Sequence, residues 1–200
     1  MPWPKHHKAE TRARIVAEAA AALRELGPER VAVAAVMDRA GLTHGGFYAH
    51  FGSKDELLAD ALAQASDESL APLTQSAEAA ADEDRWRAVV GAYLSPWHLT
   101  HVAEGCPVAA LAPEVARAGG RLQRRLGQTI RARLEWLRSL LPGASGSGAR
   151  RDDAAGALAC MVGGLVLARA LGGEDGRELL AGTRRFLERS LSDGARSKRA

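Results

Sequence analysis

Two groups of residues in this chain could do chemistry. Thr43, His44, Tyr48, His50 and Lys54 stand close together near the N-terminal end. Hydroxyls, imidazoles and an ammonium all donate hydrogen bonds to phosphate oxygens, so the chemistry on offer there is contact with a nucleic-acid backbone. The other group is His98, His101 and Cys106, an imidazole and thiol set of the kind that binds zinc. No fourth ligand stands near and the spacing matches no strong metal signature, so no metal site is expected. Cys106 precedes Pro107 at a helix start, where a thiol pKa can fall and allow redox sensing; a buried, inert cysteine is the simpler reading. No Gly-rich phosphate loop, paired-carboxylate spacing or nucleophile elbow is found. The chain is therefore read as no enzyme, with no catalytic residue and no cofactor.

The elements that must hold these groups are helices. Beta-branched and aromatic residues are sparse, alternation is absent, and Ala, Leu, Arg and Glu dominate, so the expected class is all-α. Ile15, Ala19, Ala22, Leu23 and Leu26 repeat at helical spacing, and Gly27-Pro28 supplies the stop. Val33 to Ala40 makes a second, short helix closed by Gly41. Thr43 is a good N-cap for a third, ending near Phe51. Ser53 and Glu56 have the capping-box spacing and start a fourth. A supporting helix followed by two short ones across a Gly-containing turn is the outline of a helix-turn-helix. Phe47 and Phe51, four apart, can both turn inward, which leaves His44, Tyr48 and His50 outward. Gly45 and Gly46 each cost about 1 kcal/mol of helix propensity relative to Ala. Close approach of backbone to DNA is one reason to keep them, and simple turn-making is the other.

Beyond this unit a helix is expected over Asp84 to Leu94, with irregular chain from Trp97 to Val102. Pro107 should open a short helix that Pro113 limits or kinks. A long helix should run from about Arg117 to Leu141, with Gly127 its weak point, and PGASGSG over 142–148 reads as a flexible loop. Helices over Asp152 to Leu171 and Asp175 to Leu191 complete the chain. The domains expected are 1–55, a three-helix DNA-binding unit, 56–194, a larger helical unit, and 195–200, a disordered tail.

Two hundred residues can bury a sizeable core without disulfides, and Cys106 and Cys160 are far apart, as free thiols in a reducing compartment would be. No secretion signal is evident, and the uncharged stretch Ala154 to Ala168 is short of a membrane span, so a cytoplasmic protein without a membrane partner is expected. The net charge of +3 announces nothing, but its distribution is uneven. Lys5, Lys8, Arg12 and Arg14 face only Glu10, and seven arginines from Arg117 to Arg138 face only Glu135. The second run is read as a solvated helix face.

Ala40-Gly41-Leu42-Thr43, Gly45, Phe47-Tyr48, His50-Phe51 and Ser53-Lys54 together resemble the signature of the TetR-type transcriptional regulators, in order and spacing. Thr11-Arg12, Ile15, Ala19, Gly27 and Val36 extend the resemblance over about the first quarter of the chain. Gly105-Cys106-Pro107 and Leu111-Ala112 resemble a motif from one branch of that family's C-terminal domain. The resemblance implies that Thr43, Tyr48, His50 and Lys54 grip phosphates, that Arg12 reaches the backbone, and that His44, Gly45, Gly46 and Ala49 face bases. The chain departs from the family at Ala32, where a capping Ser or Thr is usual, and at Gly46 and Ala49, where relatives often carry reading side chains. Its base-reading face is thin, so thymine methyls, DNA shape and the basic arm would carry more of the specificity.

The resemblance also implies a ligand cavity in the second domain. Trp86, Tyr93, Trp97, Trp136 and Met161, singly more often core than cavity wall, are its candidate lining, with His98, His101 and Cys106 as polar groups. It implies a homodimer, a four-helix bundle of the last two helices from each subunit, with Ala157, Met161, Gly164, Leu165, Ala168, Leu180, Phe186 and Leu187 as candidate interface. The expected function is a repressor that binds a roughly palindromic double-stranded operator and is released by a small, mostly apolar effector. The alternative is a helical ligand-binding or metal/thiol-sensing protein that has lost sequence-specific DNA reading.

Overall fold

A computed structural model describes residues 5–141 and 148–197. Every element among them is helical. They are α1 (Lys5–Leu26), α2 (Val33–Arg39), a 3₁₀ helix (His44–Ala49), α3 (Lys54–Glu78), a 3₁₀ turn (Asp82–Asp84), α4 (Arg85–Tyr93), α5 (Pro96–Thr100), α6 (Pro107–Ala118), α7 (Gly120–Leu140), α8 (Gly148–Leu171) and α9 (Gly173–Ser197). The flexible loop read at 142–148 lies outside the described residues except for Gly148, which opens α8. Residues 195–197 of the expected tail continue α9, and 198–200 lie outside the described residues.

Two compact units are formed, Met1–Ser69 with Val102–Gly127, and Leu70–His101 with Gln128–Ala200. The grouping departs from a border at residue 55 because α3 runs unbroken from Lys54 to Glu78, and no linker follows the helix-turn-helix.

In the first unit α1 packs against α2 and α6. Ile15, Ala19 and Leu23 of α1 are fully buried, as the helical spacing predicts, with Val36, Met37, Phe47, Phe51, Leu57 and Leu62 completing the core. Each large side chain so buried contributes about 1.5–3 kcal/mol. Arg24 was not anticipated there. It is 4% exposed, and its guanidinium donates to Glu68 at 2.7 Å and to the Ala65 carbonyl at 3.3 Å, fastening α1 to α3. Gly27 ends α1 at φ +78, a backbone region glycine enters without strain. The long helix expected from Arg117 is interrupted. Gly119 and Gly120 both take positive φ, at +69 and +68, so α6 stops at Ala118 and α7 begins afresh. Gly127 stays helical.

In the second unit α8 and α9 pack along each other, joined through Gly172 and Gly173. Trp86, Val89, Val90 and Tyr93 of α4 are buried, as are Met161, Leu165 and Ala168 of α8 and Leu180 and Leu187 of α9. The irregular stretch expected after Pro96 is instead the short helix α5. The Ser95 hydroxyl accepts from His98 N–H at 3.2 Å and Pro96 stands in the first turn, which is enough to start it.

Candidate nucleic-acid interface

The helix-turn-helix is assembled from short-range rules. Ala32 leaves α2 without a side-chain cap, as its methyl requires. Gly41 turns the chain at φ +68, and Thr43 enters the next helix in extended conformation without its hydroxyl capping it. That helix is shorter and tighter than its sequence suggests: a 3₁₀ turn over His44–Ala49, with His50 and Phe51 beyond it. Phe47 and Phe51 both point into the core, 2% exposed, with ring centroids 5.6 Å apart. Fixing them inward turns Tyr48 out, and it is 75% exposed. Thr43, His44, Gly45 and Ala49 are exposed beside it, with Gly46, His50 and Lys54 half-buried.

Gly45 and Gly46 have ordinary backbone angles, so no left-handed turn requires them. A Cβ at Gly45 would meet nothing within 4 Å, and one at Gly46 only Met37 Cε at 3.7 Å, an ordinary contact. The fold therefore does not demand either glycine.

The electrostatics separate the polar groups. His50 has its Nδ1 buried with no hydrogen-bond partner. Burial, then the charges of Lys8 and Arg12, hold its pKa below the usual imidazole value. Lys54 Nζ donates to the Glu29 carbonyl at 3.3 Å. The expected capping box at Ser53 forms in altered form: Ser53 Oγ accepts from Glu56 N–H at 3.1 Å, while the Glu56 carboxylate accepts from Gly52 N–H at 2.9 Å. Arg12 also has partners of its own within the unit. Its guanidinium pairs with Asp60, lies 3.7 Å from Glu56 and sits 4.6 Å over the Phe51 ring, so it is engaged inside the unit. Reasoning from sequence missed His7 and Thr11. They join Lys8, Leu42, Gly46, Ala49 and His50 around a hollow of about 390 Å³. The concentration of Lys and His at the start of α1 was the available signal.

Residues 15–61 match the model of the bacterial regulatory proteins, tetR family. The whole fold is similar to the crystal structure of a TetR transcriptional regulator from Chloroflexus aurantiacus J-10-FL, at 26% identity and TM-score 0.81, over 94% of this chain and 96% of that one. Residues 15–61 thus carry a tetR-type DNA-binding domain, and the fold of the chain is similar to that of TetR-family regulators. SCO4454, a TetR-family regulator from Streptomyces coelicolor, is similar at 20% identity and TM-score 0.76, covering 94% and 97% of the two chains. A TetR-family regulator from Cytophaga hutchinsonii is similar at 17% identity and TM-score 0.79, covering 94% and 96%. No curated protein matches the chain in sequence. The TetR-type fold makes this a DNA-binding regulator, with the helix-turn-helix as its DNA-binding part.

The expected effector lining is only partly brought together. Cys106 belongs to the first unit, and the other seven residues to the second. Trp97 is 49% exposed and stacks on exposed His101 at 4.6 Å, so both face outward, while Trp136 is half-buried. Trp86, Tyr93 and Met161 are core. His98 lies with them, its ring edge-on to Tyr93 at 4.6 Å and its Nδ1 2.7 Å from the Tyr93 carbonyl. A carbonyl only accepts, so Nδ1 carries the proton and Nε2 presents a lone pair. Burial first, with Arg169 and Arg133 adding and the Tyr93 bond opposing, lowers the His98 pKa to about 4.

The expected dimer residues also divide. Ala157, Met161, Gly164, Leu165, Ala168, Leu180 and Leu187 are buried within one chain, and only Phe186 of the set is exposed. Of the positions that the resemblance implied, Gly164 and Phe186 also line the outward groove of α8 and α9. The outward apolar surface is a groove lined by Cys160, Gly163, Gly164, Leu167, Leu179, Gly182, Thr183 and Phe186.

Proposed function

We propose that this chain is a cytoplasmic homodimeric repressor that binds a roughly palindromic operator and leaves it when a small, mostly apolar effector binds the second unit. The observation that carries the DNA reading is the division of the segment 43–51. Phe47 and Phe51 are spent on the core, while His44 and Thr43 are exposed and Tyr48, 75% exposed, meets the core edge-on at the Phe47 ring, 5.2 Å between centroids. Arg12 positions Phe51 and α3, leaving Thr43, Tyr48, His50 and Lys54 as the phosphate grip and Gly45, Gly46 and His44 against bases.

The partner subunit covers the α8–α9 groove. Leu167 and Phe186, 57% and 52% exposed, are a large apolar surface for a single chain to leave in water. The same surface explains why Arg150–Leu171 is long and apolar enough to cross a membrane, with mean hydropathy 1.8, although only a third of it is buried in one chain. The effector is held near Trp86, Tyr93, Trp136 and Met161, with His98 among the polar groups beside it. It acts by favouring a spacing of the two helix-turn-helix units that the operator cannot accept, and a coupling of about 1–3 kcal/mol changes operator affinity from several-fold to over a hundredfold.

Titration of the full chain with the duplex upstream of its own gene, against a scrambled duplex at equal salt, tests the reading. The upstream duplex binds more tightly, and Tyr48→Ala weakens it roughly tenfold. Equal, salt-sensitive affinity for both duplexes refutes operator recognition.

A further inference from the structure

From Val115 to Leu134 the chain has six arginines and no carboxylate. Four of these, Arg117, Arg121, Arg124 and Arg125, belong to the first unit, and all four are exposed. Arg121 stands three and four residues before Arg124 and Arg125, so the three share one face of α7. A solvated helix face ordinarily mixes signs, because like charges at these spacings destabilise the helix. Here the α7 neighbours of Arg121 one turn on are Arg124 and Arg125, and Arg117 lies across the Gly119–Gly120 break, at the end of α6.

The placement of this face gives it a direction. Arg121, with Gly119 and Gly120, lines a hollow of about 270 Å³ whose opposite wall includes Lys54, at the start of the helix that follows the helix-turn-helix. Glu29 and Asp55 line the same hollow. These two carboxylates balance Lys54 and Arg121 within the hollow, while Arg117 and Arg124 stand outside its lining.

We propose that Arg117, Arg121 and Arg124 form a second phosphate-gripping surface, which holds duplex backbone flanking the segment contacted by His44–Ala49. The proposal rests on the DNA-binding reading above. It makes part of the affinity sequence-independent, which suits a reading helix with few base-contacting side chains.

The test is a salt titration of the full chain on the upstream and scrambled duplexes, between about 50 and 300 mM salt. Arg117→Ala, Arg121→Ala and Arg124→Ala are combined, and the same three positions are separately changed to Lys. The alanine variant melts like the parent, binds both duplexes roughly tenfold more weakly and by the same factor, and loses about 0.9 in the slope of log affinity against log salt for each contact removed. The lysine variant keeps the parental slope. The single change Arg124→Glu lowers the slope in the same direction. An alanine variant with parental slope and affinity, while Tyr48→Ala still loses the upstream preference, overturns this proposal and leaves the operator reading intact. Absence of binding by the parent to either duplex overturns both.

Discussion

Gly45 shows how a single residue separates the demands of folding from those of binding. Its φ is ordinary and a Cβ there would stand in open space, so the free protein gains nothing from glycine. Gly45→Ala is expected to raise stability by up to about 1 kcal/mol, read in a thermal melt, through helix propensity and a less flexible unfolded chain. The same methyl would hold the backbone off the bases, so operator affinity falls. A variant that is more stable and binds equally well would show that the glycine serves neither purpose. Gly41 is the opposite case, because its φ of +68 makes it a requirement of the turn. Sequence alone cannot tell these two glycines apart. Both precede or open the same short helix, and only the backbone angle separates them.

At the scale of elements, α4, α5 and α8 meet at His98. Its Nδ1–H bonds the Tyr93 carbonyl at the end of α4, and Arg169 of α8 donates to the His98 carbonyl oxygen at 2.7 Å and to that of Leu99 at 3.3 Å, near the end of α5. The folded His98 pKa of about 4 lies below the ordinary 6.5, so the unfolded chain binds more protons between those values. The contribution of neutral His98 is present in full above about pH 6.5 and is lost as pH falls toward 4, by at most about 3 kcal/mol. Urea melts across that range should show the decline, and His98→Asn, which keeps a donor for the Tyr93 carbonyl but does not titrate, should flatten it. An unchanged pH profile in the variant would assign the decline to other groups. This joint was hidden in the sequence, where 97–102 reads as irregular, because its helix is only five residues long and rests on one Ser cap and one Arg from a distant segment. Helices α1 to α3 were legible because their apolar spacing, glycine stops and cap residues all agree. The break at Gly119–Gly120 was not, since good helix formers stand on both sides of it, Arg117 and Ala118 before and Arg121 and Leu122 after. Arg12 was assigned outward by resemblance, and its partners Glu56 and Asp60, more than forty residues away, could not be read locally.

For the whole molecule, the proposed dimer rests on the groove of α8 and α9. Leu167 is 57% exposed, so Leu167→Glu leaves the core of one chain intact and places a charge where the second subunit would press. Sedimentation equilibrium should give twice 21.1 kDa for the parent and a single chain of 21.1 kDa for the variant. A monomeric parent would leave the groove to another occupant and remove the reason for a two-fold operator. Two reading units related by two-fold symmetry must meet the duplex at two half-sites, one helical turn of about 10 base pairs apart or a multiple of it. Hydroxyl-radical footprinting of the full chain on the DNA upstream of its own gene tests this most directly. Two protected segments with that spacing are expected, both lost in Tyr48→Ala. Uniform protection without phase, or a pattern that Tyr48→Ala leaves unchanged, would contradict it.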